Sequence, residues 1–245
     1  MKNGLLVFFV ILGIILGIGV GLVLDSGNIA ATDPATALLA EKLKVYTDKE
    51  EADKRLGQYV VNMMFRSPET VRQLSPAYML SLAQDIVEVT DNIFDKEIER
   101  RGFIGALQIE SRFLKYAQSP TGPKGLAQVA RKTFHYSIGL CGIPAANDND
   151  AWDTKLNLYA GACYFKEQLD ANGGDVIAAI VAYNQGPNDD DAKRYPKDGV
   201  VKGHEPLAYV VKWVFNKDHT TDTKMPGVPA ISDLPKPKAK LKAHK

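Results

Sequence analysis

The hydrophobic and polar positions divide the chain into one long apolar run and a series of stretches with helical periodicity. Gly4 to Leu24 are 21 residues without a charged side chain, enough at about 1.5 Å per residue to cross a hydrocarbon core of about 30 Å. After Asp33, apolar residues recur three and four apart, as in Tyr59, Val60, Met63 and Met64, then Leu80, Ala83, Ile86 and Val87, the spacing of helices with one buried face. Asp33-Pro34, Ser67-Pro68-Glu69 and Ser75-Pro76 each pair a capping side chain with a proline suited to the first helical position. A further helix is expected from Asp153 to Leu169, stopped by Asn172-Gly-Gly174. Another follows Asp175 and ends at Gly186-Pro187, with Tyr183 and Asn184 in its last turn. No run alternates well enough for a long strand, so the fold class is mainly α.

The apolar run reads as an uncleaved membrane anchor. A secretory signal has a shorter core and a small-x-small cleavage site, whereas here Asp25 and Asn28 interrupt the exit. Lys2 precedes the span, while the far side opens with Asp25 and Asp33 and reaches no lysine before Lys42. This asymmetry puts the N-terminus in the cytoplasm and the body outside it. Gly13, Gly17 and Gly21 are read as ordinary membrane-helix glycines. The net charge of +1 and the lack of any nucleic-acid motif exclude an electrostatic nucleic-acid binder. His135, His204, His219 and His244 show no metal-ligand spacing and no GxxxxGK[ST] loop is present, so no metal and no cofactor are implied. The mixed charges of Asp48 to Arg55 suit a solvated helix face.

The candidate chemistry centres on Glu110, in Gly105-Ala-Leu-Gln-Ile-Glu110-Ser111-Arg-Phe113. On a helix, its neighbours three and four residues away are Ala106, Leu107, Phe113 and Leu114, all apolar, with no lysine or arginine to pair with. A carboxyl so placed loses hydration when ionised, which favours the protonated form and the role of general acid. Taken alone, a glutamate on a helix is more often a solvated surface residue.

Company decides the matter. Glu110-Ser111-x-Phe113, then Ser119-x-x-Gly122-x-x-Gly125-Leu-x-Gln128-Val129, then Asp153-x-x-x-Asn157-Leu-x-x-Gly161, then Ala182-Tyr183-Asn184-x-Gly186-Pro187 stand in that order. The series resembles the catalytic domain of the soluble lytic transglycosylases and, behind them, the goose-type lysozymes, over roughly residues 92 to 215. The resemblance implies a lysozyme-like helical fold with a small hairpin or loop region beside a groove. It also implies cleavage of the bond between N-acetylmuramic acid and N-acetylglucosamine in peptidoglycan glycan strands.

In that reading Glu110 protonates the leaving oxygen and its carboxylate then takes a proton from the muramoyl 6-hydroxyl, closing a 1,6-anhydro ring. No second protein carboxylate is needed, although glycosidases usually employ two. By the same resemblance Ser111 belongs to the supporting motif, and Ser119 and Gln128 help hold substrate and carboxyl. Tyr183 brings its hydroxyl near the acid, and Asn184 orients the loop. His204-Glu205-Pro-Leu-Ala-Tyr209-Val210 is similar to the family's closing helix and makes Glu205 a supporting candidate. Ala127 departs from the pattern, which commonly has methionine there, and leaves that part of the sugar-binding wall in question.

Two alternatives stay open. One is a hydrolytic muramidase on the same fold, with Asp148, Asp150 or Asp153 positioning a water. The other is a catalytically silent peptidoglycan-binding or assembly module. The expected organisation is a membrane anchor at 1–25, a linker at 26–33, a helical region at 34–91, a catalytic domain at 92–217 and a disordered basic tail at 218–245. Expected partners are peptidoglycan and, through residues 4–24, the lipid bilayer; components of a secretion, conjugation or phage-entry machine are further candidates. With Cys141 and Cys163 outside the cytoplasm, one bridge is permitted, yet Cys163 also falls on an apolar stripe where a small buried residue would suffice.

Overall fold

The computed structural model describes residues 34–144, 147–186, 210 and 220–233. The helices are α1 (Pro34–Phe65), α2 (Pro68–Gln73), α3 (Pro76–Ile93), α4 (Glu97–Ser111), α5 (Arg131–Leu140), α6 (Thr154–Ala171) and α7 (Val176–Gln185). Short 3₁₀ turns cover Asp148–Trp152 and Ile231–Asp233. Among the described residues β structure is limited to isolated bridges, Gln118 with Lys124 and Lys124 with Val129, so the protein is mainly helical with a small loop region. The apolar run at 4–24 lies outside the described residues, among which no helix is long and apolar enough to cross a membrane.

The capping signals operate as chemistry requires. Ser67, Ser75, Asp153 and Asp175 accept hydrogen bonds from first-turn N–H groups of α2, α3, α6 and α7, satisfying donors that a helix start leaves open. Helix α5 is an addition that the sequence pattern did not disclose.

The chain divides into two compact units, Met1–Asp48 and Lys49–Lys245. In the first, the described residues are the beginning of α1, with Val45 and Tyr46 exposed. The second holds the main core, where Tyr59, Met63 and Met64 join Ile86, Phe94, Phe103, Phe165 and Ile180. Phe94, Phe103 and Phe165 meet with ring centroids 5.8–6.0 Å apart, a geometry that adds to burial alone. Helix α6 is the hub, packing on α3, α5, α7 and the Asp148–Trp152 turn, while α4 packs on α3 and α7. A disulfide joins Cys141, just after α5, to Cys163 on α6, closing a loop whose cross-link is worth about 3 kcal/mol in chain entropy.

The expectation of a disordered tail from residue 218 does not hold for residues 220–233. Asn62 on α1 donates to the carbonyls of Thr221 (2.8 Å) and Thr223 (2.7 Å). Gln58 donates to the Pro229 carbonyl (3.2 Å) and accepts from the Ile231 N–H (3.0 Å), and Val228 is buried. Two buried amides on α1 thus supply backbone partners for a segment whose own hydropathy pattern is weak. Residues 234–245 lie outside the described residues.

Candidate active site

Glu110 is the penultimate residue of α4 and is partly exposed. The helix stops directly after it. The Ser111 hydroxyl donates to the Leu107 carbonyl and accepts from the Phe113 N–H, both at 3.1 Å. Arg112 and Phe113 follow with φ of 52° and 61°, left-handed values that cost a non-glycine residue about 1 kcal/mol or more. Helix α2 braces this turn: buried Thr70 donates to the Arg112 carbonyl at 2.7 Å, and Glu69 forms an ion pair with Arg112.

One sequence expectation is therefore corrected. Phe113 and Leu114 do not continue the helix beside Glu110, because the chain leaves it at Ser111; Phe113 reaches the core through the left-handed turn instead and is fully buried. Ser111 is spent on ending the helix.

The turn between Gln118 and Val129 is held from within and from α6. Gln128, with φ of 47°, donates through Nε2 to the carbonyls of Ala117 (2.9 Å) and Gly125 (2.8 Å). The Ser119 hydroxyl pairs with that of Thr121 at 2.9 Å. Both side chains expected to hold substrate thus stabilise the loop itself.

From α6, buried Asn157 accepts from the Ala127 N–H (2.8 Å) and donates to the carbonyls of Lys124 (3.1 Å) and Ala151 (2.9 Å). Gly125 is required twice over: its φ is +78°, and a Cβ would stand 2.4 Å from Asn157 Nδ2. A Cβ on Gly161 would meet that of Ala127 at 2.3 Å and the Tyr183 hydroxyl at 3.1 Å. Spacing by four puts Asp153, Asn157 and Gly161 along one helix face, where they cap the helix, clamp the turn and admit it. Ala127, fully buried against that glycine, forms part of the junction between turn and helix.

Tyr183 lies in the last turn of α7, which Gly186 ends with φ of 89°. Its hydroxyl donates to the Ala127 carbonyl at 2.7 Å, and its ring meets those of Tyr164 and Phe165 at 5.5 and 5.8 Å. Burial, then the negative charge of Glu110, then Tyr164 push the phenol well above the usual tyrosine range. The structure thus brings Glu110 and Tyr183 into one electrostatic neighbourhood and keeps the tyrosine a proton donor.

Asn184 accepts from its neighbour Gln185 at 2.5 Å. Glu205 lies outside the described residues. The carboxylates suggested for a hydrolytic water are engaged at helix starts, Asp150 with the Asn147 N–H and Asp153 with the Leu156 N–H, both at 2.9 Å; the Asp148 side chain is not among those described. Among the described residues no three His, Cys, Asp or Glu side chains gather as a metal site.

Fold and site together define a mainly helical protein that carries a glutamate at a helix end, a tyrosine held protonated near it and a clamped glycine-bearing turn. Residues 92–200 match the model of the Transglycosylase SLT domain family. Among solved structures, the chain is similar to an inactive mutant of the lytic transglycosylase Slt from Pseudomonas aeruginosa, with 20% identity and a TM-score of 0.43 over 59% of this chain and 25% of that one. It is also similar to the 70 kDa soluble lytic transglycosylase from Escherichia coli, with 18% identity and a TM-score of 0.45 over 69% of this chain and 31% of that one. The chain thus spans a quarter to about a third of the length of these proteins.

Proposed function

We propose that the protein is a peptidoglycan lytic transglycosylase in which Glu110 acts first as general acid and then as base. The carrying observation is that Glu110 stands close enough for its charge to act on Tyr183, inside the stretch that matches the transglycosylase domain. Glu110 gives its proton to the glycosidic oxygen as the bond to the muramoyl C1 breaks. The resulting carboxylate takes the proton of the muramoyl 6-hydroxyl, whose oxygen closes on C1. Atoms balance without water, and a single carboxyl serves both steps.

Tyr183 fixes the Ala127 carbonyl with its proton and so couples the turn to the last helix of the site. Asp150 and Asp153, two of the carboxylates that the hydrolytic alternative would use to hold water, serve as caps, whereas the transglycosylase reading calls on no second carboxylate.

The proposal extends to location. Residues 4–24 serve as a membrane span, with the N-terminus in the cytoplasm and the body on the wall side, and a disulfide between Cys141 and Cys163 suits an oxidising compartment. Residues 34–91 support the catalytic region, 92–217. A secretion, conjugation or phage-entry machine is the kind of assembly such an enzyme would serve.

Digestion of purified peptidoglycan by the full chain, with products weighed by mass spectrometry, tests the activity. Anhydro-muropeptides are expected from the wild type and none from Glu110→Gln. Products one water heavier would move the protein to the hydrolases, and wall binding without cleavage by either form would favour a silent module.

A further inference from the structure

Beside the clamped turn lies a feature that the transglycosylase reading does not use. Tyr116, 74% exposed, meets Trp152 with ring centroids 6.0 Å apart. A lysine stands over each ring: Lys115 Nζ is 5.5 Å from the Tyr116 centroid and Lys124 Nζ is 5.4 Å from that of Trp152. Lys124 also lines a cavity of about 110 Å³ together with Arg131 and His135.

The backbone under this surface is fixed. Asn157 bonds the carbonyl of Lys124 and that of Ala151, next to Trp152, and the Gly125 N–H bonds the carbonyl of Ala117, next to Tyr116, at 2.9 Å. An exposed tyrosine and a partly buried tryptophan, held in register by buried bonds and flanked by cations, are set to meet a ligand that has both an apolar face and negative charge.

A pyranose ring offers such a face, since its C–H bonds present weakly positive hydrogens to the negative face of an aromatic ring. Lysine and arginine beside the ring recognise carboxylate. In an intact wall strand the lactyl carboxyl is consumed in the amide bond to the peptide, so the free carboxylates nearest the glycan belong to the peptide stem. We propose that Tyr116 and Trp152 stack a sugar of the glycan strand while Lys124, with Arg131 and His135, binds a carboxylate of its peptide stem. This makes a second subsite that selects stem-bearing strands, and it rests on the reading of the protein as a peptidoglycan enzyme.

The test measures binding of the full chain carrying Glu110→Gln, so that no cleavage is needed, to two polymers: stem-bearing glycan strands and the same strands stripped of peptide by an amidase. Adding Lys124→Gln is expected to weaken binding about tenfold to the stem-bearing strands and to leave the stripped strands unaffected. Adding Trp152→Ala is expected to weaken both alike, which reads the stacking apart from the charge.

Equal loss on the two polymers with Lys124→Gln would overturn the assignment to the stem, because the contact would then be to a group both polymers share, and loss confined to the stripped strands would overturn it in favour of the lactyl carboxylate, which stripping exposes. No loss on either would overturn the subsite. Because the readout is binding, a wild-type chain that fails to cleave would defeat the proposed activity while leaving this result to stand by itself.

Discussion

The turn around Gly125 and the junction of α1, α3 and α4 are both places where separate pieces of chain are tied together, and they are tied by opposite means. At the turn, a single uncharged amide, Asn157, 1% exposed, makes three hydrogen bonds to backbone groups from Lys124, Ala127 and Ala151. At the junction, Lys49 bridges Asp53 (3.2 Å) and Asp91 (2.6 Å). Arg100 reaches Asp53 at 3.3 Å and also pairs with Asp91. The side chains at the junction keep 17–51% of their surface.

A buried polar group left without its partner costs its full desolvation, about 1–3 kcal/mol, whereas an exposed ion pair is worth about 0–1 kcal/mol. The turn that shapes the site is therefore held by bonds indifferent to salt and to pH near neutrality. The supporting junction is held by charges that respond to both.

Asn157→Leu is the sharpest way to break the comparison. It puts two methyl groups where the amide oxygen and nitrogen stand, strands the Ala127 N–H and the Ala151 carbonyl, and leaves the Lys124 carbonyl with the Val129 N–H alone, so a loss of about 3–5 kcal/mol is expected. In a unit of this size that lowers Tm by roughly 10 °C. Release of peptidoglycan fragments should fall with it, because Ala127, the partner of Tyr183, loses its anchor. Urea midpoints at low and high salt should shift equally. A variant within about 1 kcal/mol of wild type, or one whose loss depends on salt, would remove the distinction between the two regions.

Thr70→Val applies the same logic to one bond. The hydroxyl of this buried residue holds the Arg112 carbonyl directly after α4, and its loss is expected to cost about 1–2 kcal/mol. The left-handed pair Arg112–Phe113 is then held less firmly, so the rate of wall digestion should fall several-fold while binding to the Glu110→Gln form of the same variant stays near wild type. Loss of binding in step with rate would instead place Thr70 in general support of the fold.

Much of this was legible along the chain because it depends on local chemistry. Ser67, Ser75, Asp153 and Asp175 announce their helices through the cap itself, and the spacing of Asp153, Asn157 and Gly161 announces a helix face with special residues on it. The mainly helical class followed from that periodicity. What stayed hidden depends on partners distant in sequence. The Asp48–Arg55 stretch reads as a solvated face, yet Asp53 meets Arg100 from another helix. Gln58 and Asn62 look like polar interruptions of an apolar stripe, yet they bind residues 221–231, which have almost no pattern of their own. Tyr116 and Trp152 lie far apart in sequence, and no spacing rule brings them together. At the site, Glu110 and Tyr183 were found through their motifs, whereas the structural employment of Ser111 and Gln128 became visible only when their hydroxyl and amide were seen to bond backbone.

The smallest expected effect belongs to the charged junction and has a definite sign. At Asp91, burial alone would raise the carboxyl, but bonding to Lys49 and the charge of Arg100 outweigh it and hold it below the ordinary aspartate value. At Lys49, bonding to Asp91 does most to raise the ammonium above its ordinary value. A carboxyl lowered on folding contributes stability that is complete above its unfolded pKa and is lost as pH falls through the folded one. A raised lysine contributes below its unfolded pKa and loses this as pH rises through the folded one. The junction is therefore whole between roughly pH 5 and 10 and weakens on either side. Asp91→Asn should cost at most about 1 kcal/mol at pH 7 in low salt. The difference from wild type should shrink in 1 M salt and shrink again in acid, as the wild-type carboxyl takes up its own proton. Urea midpoints at neutral pH in low salt, in 1 M salt and along a descending pH series decide it: a loss that persists undiminished in acid and salt would mean that Asp91 acts through packing or neutral hydrogen bonds, and the junction would then resemble the turn to which it has been contrasted.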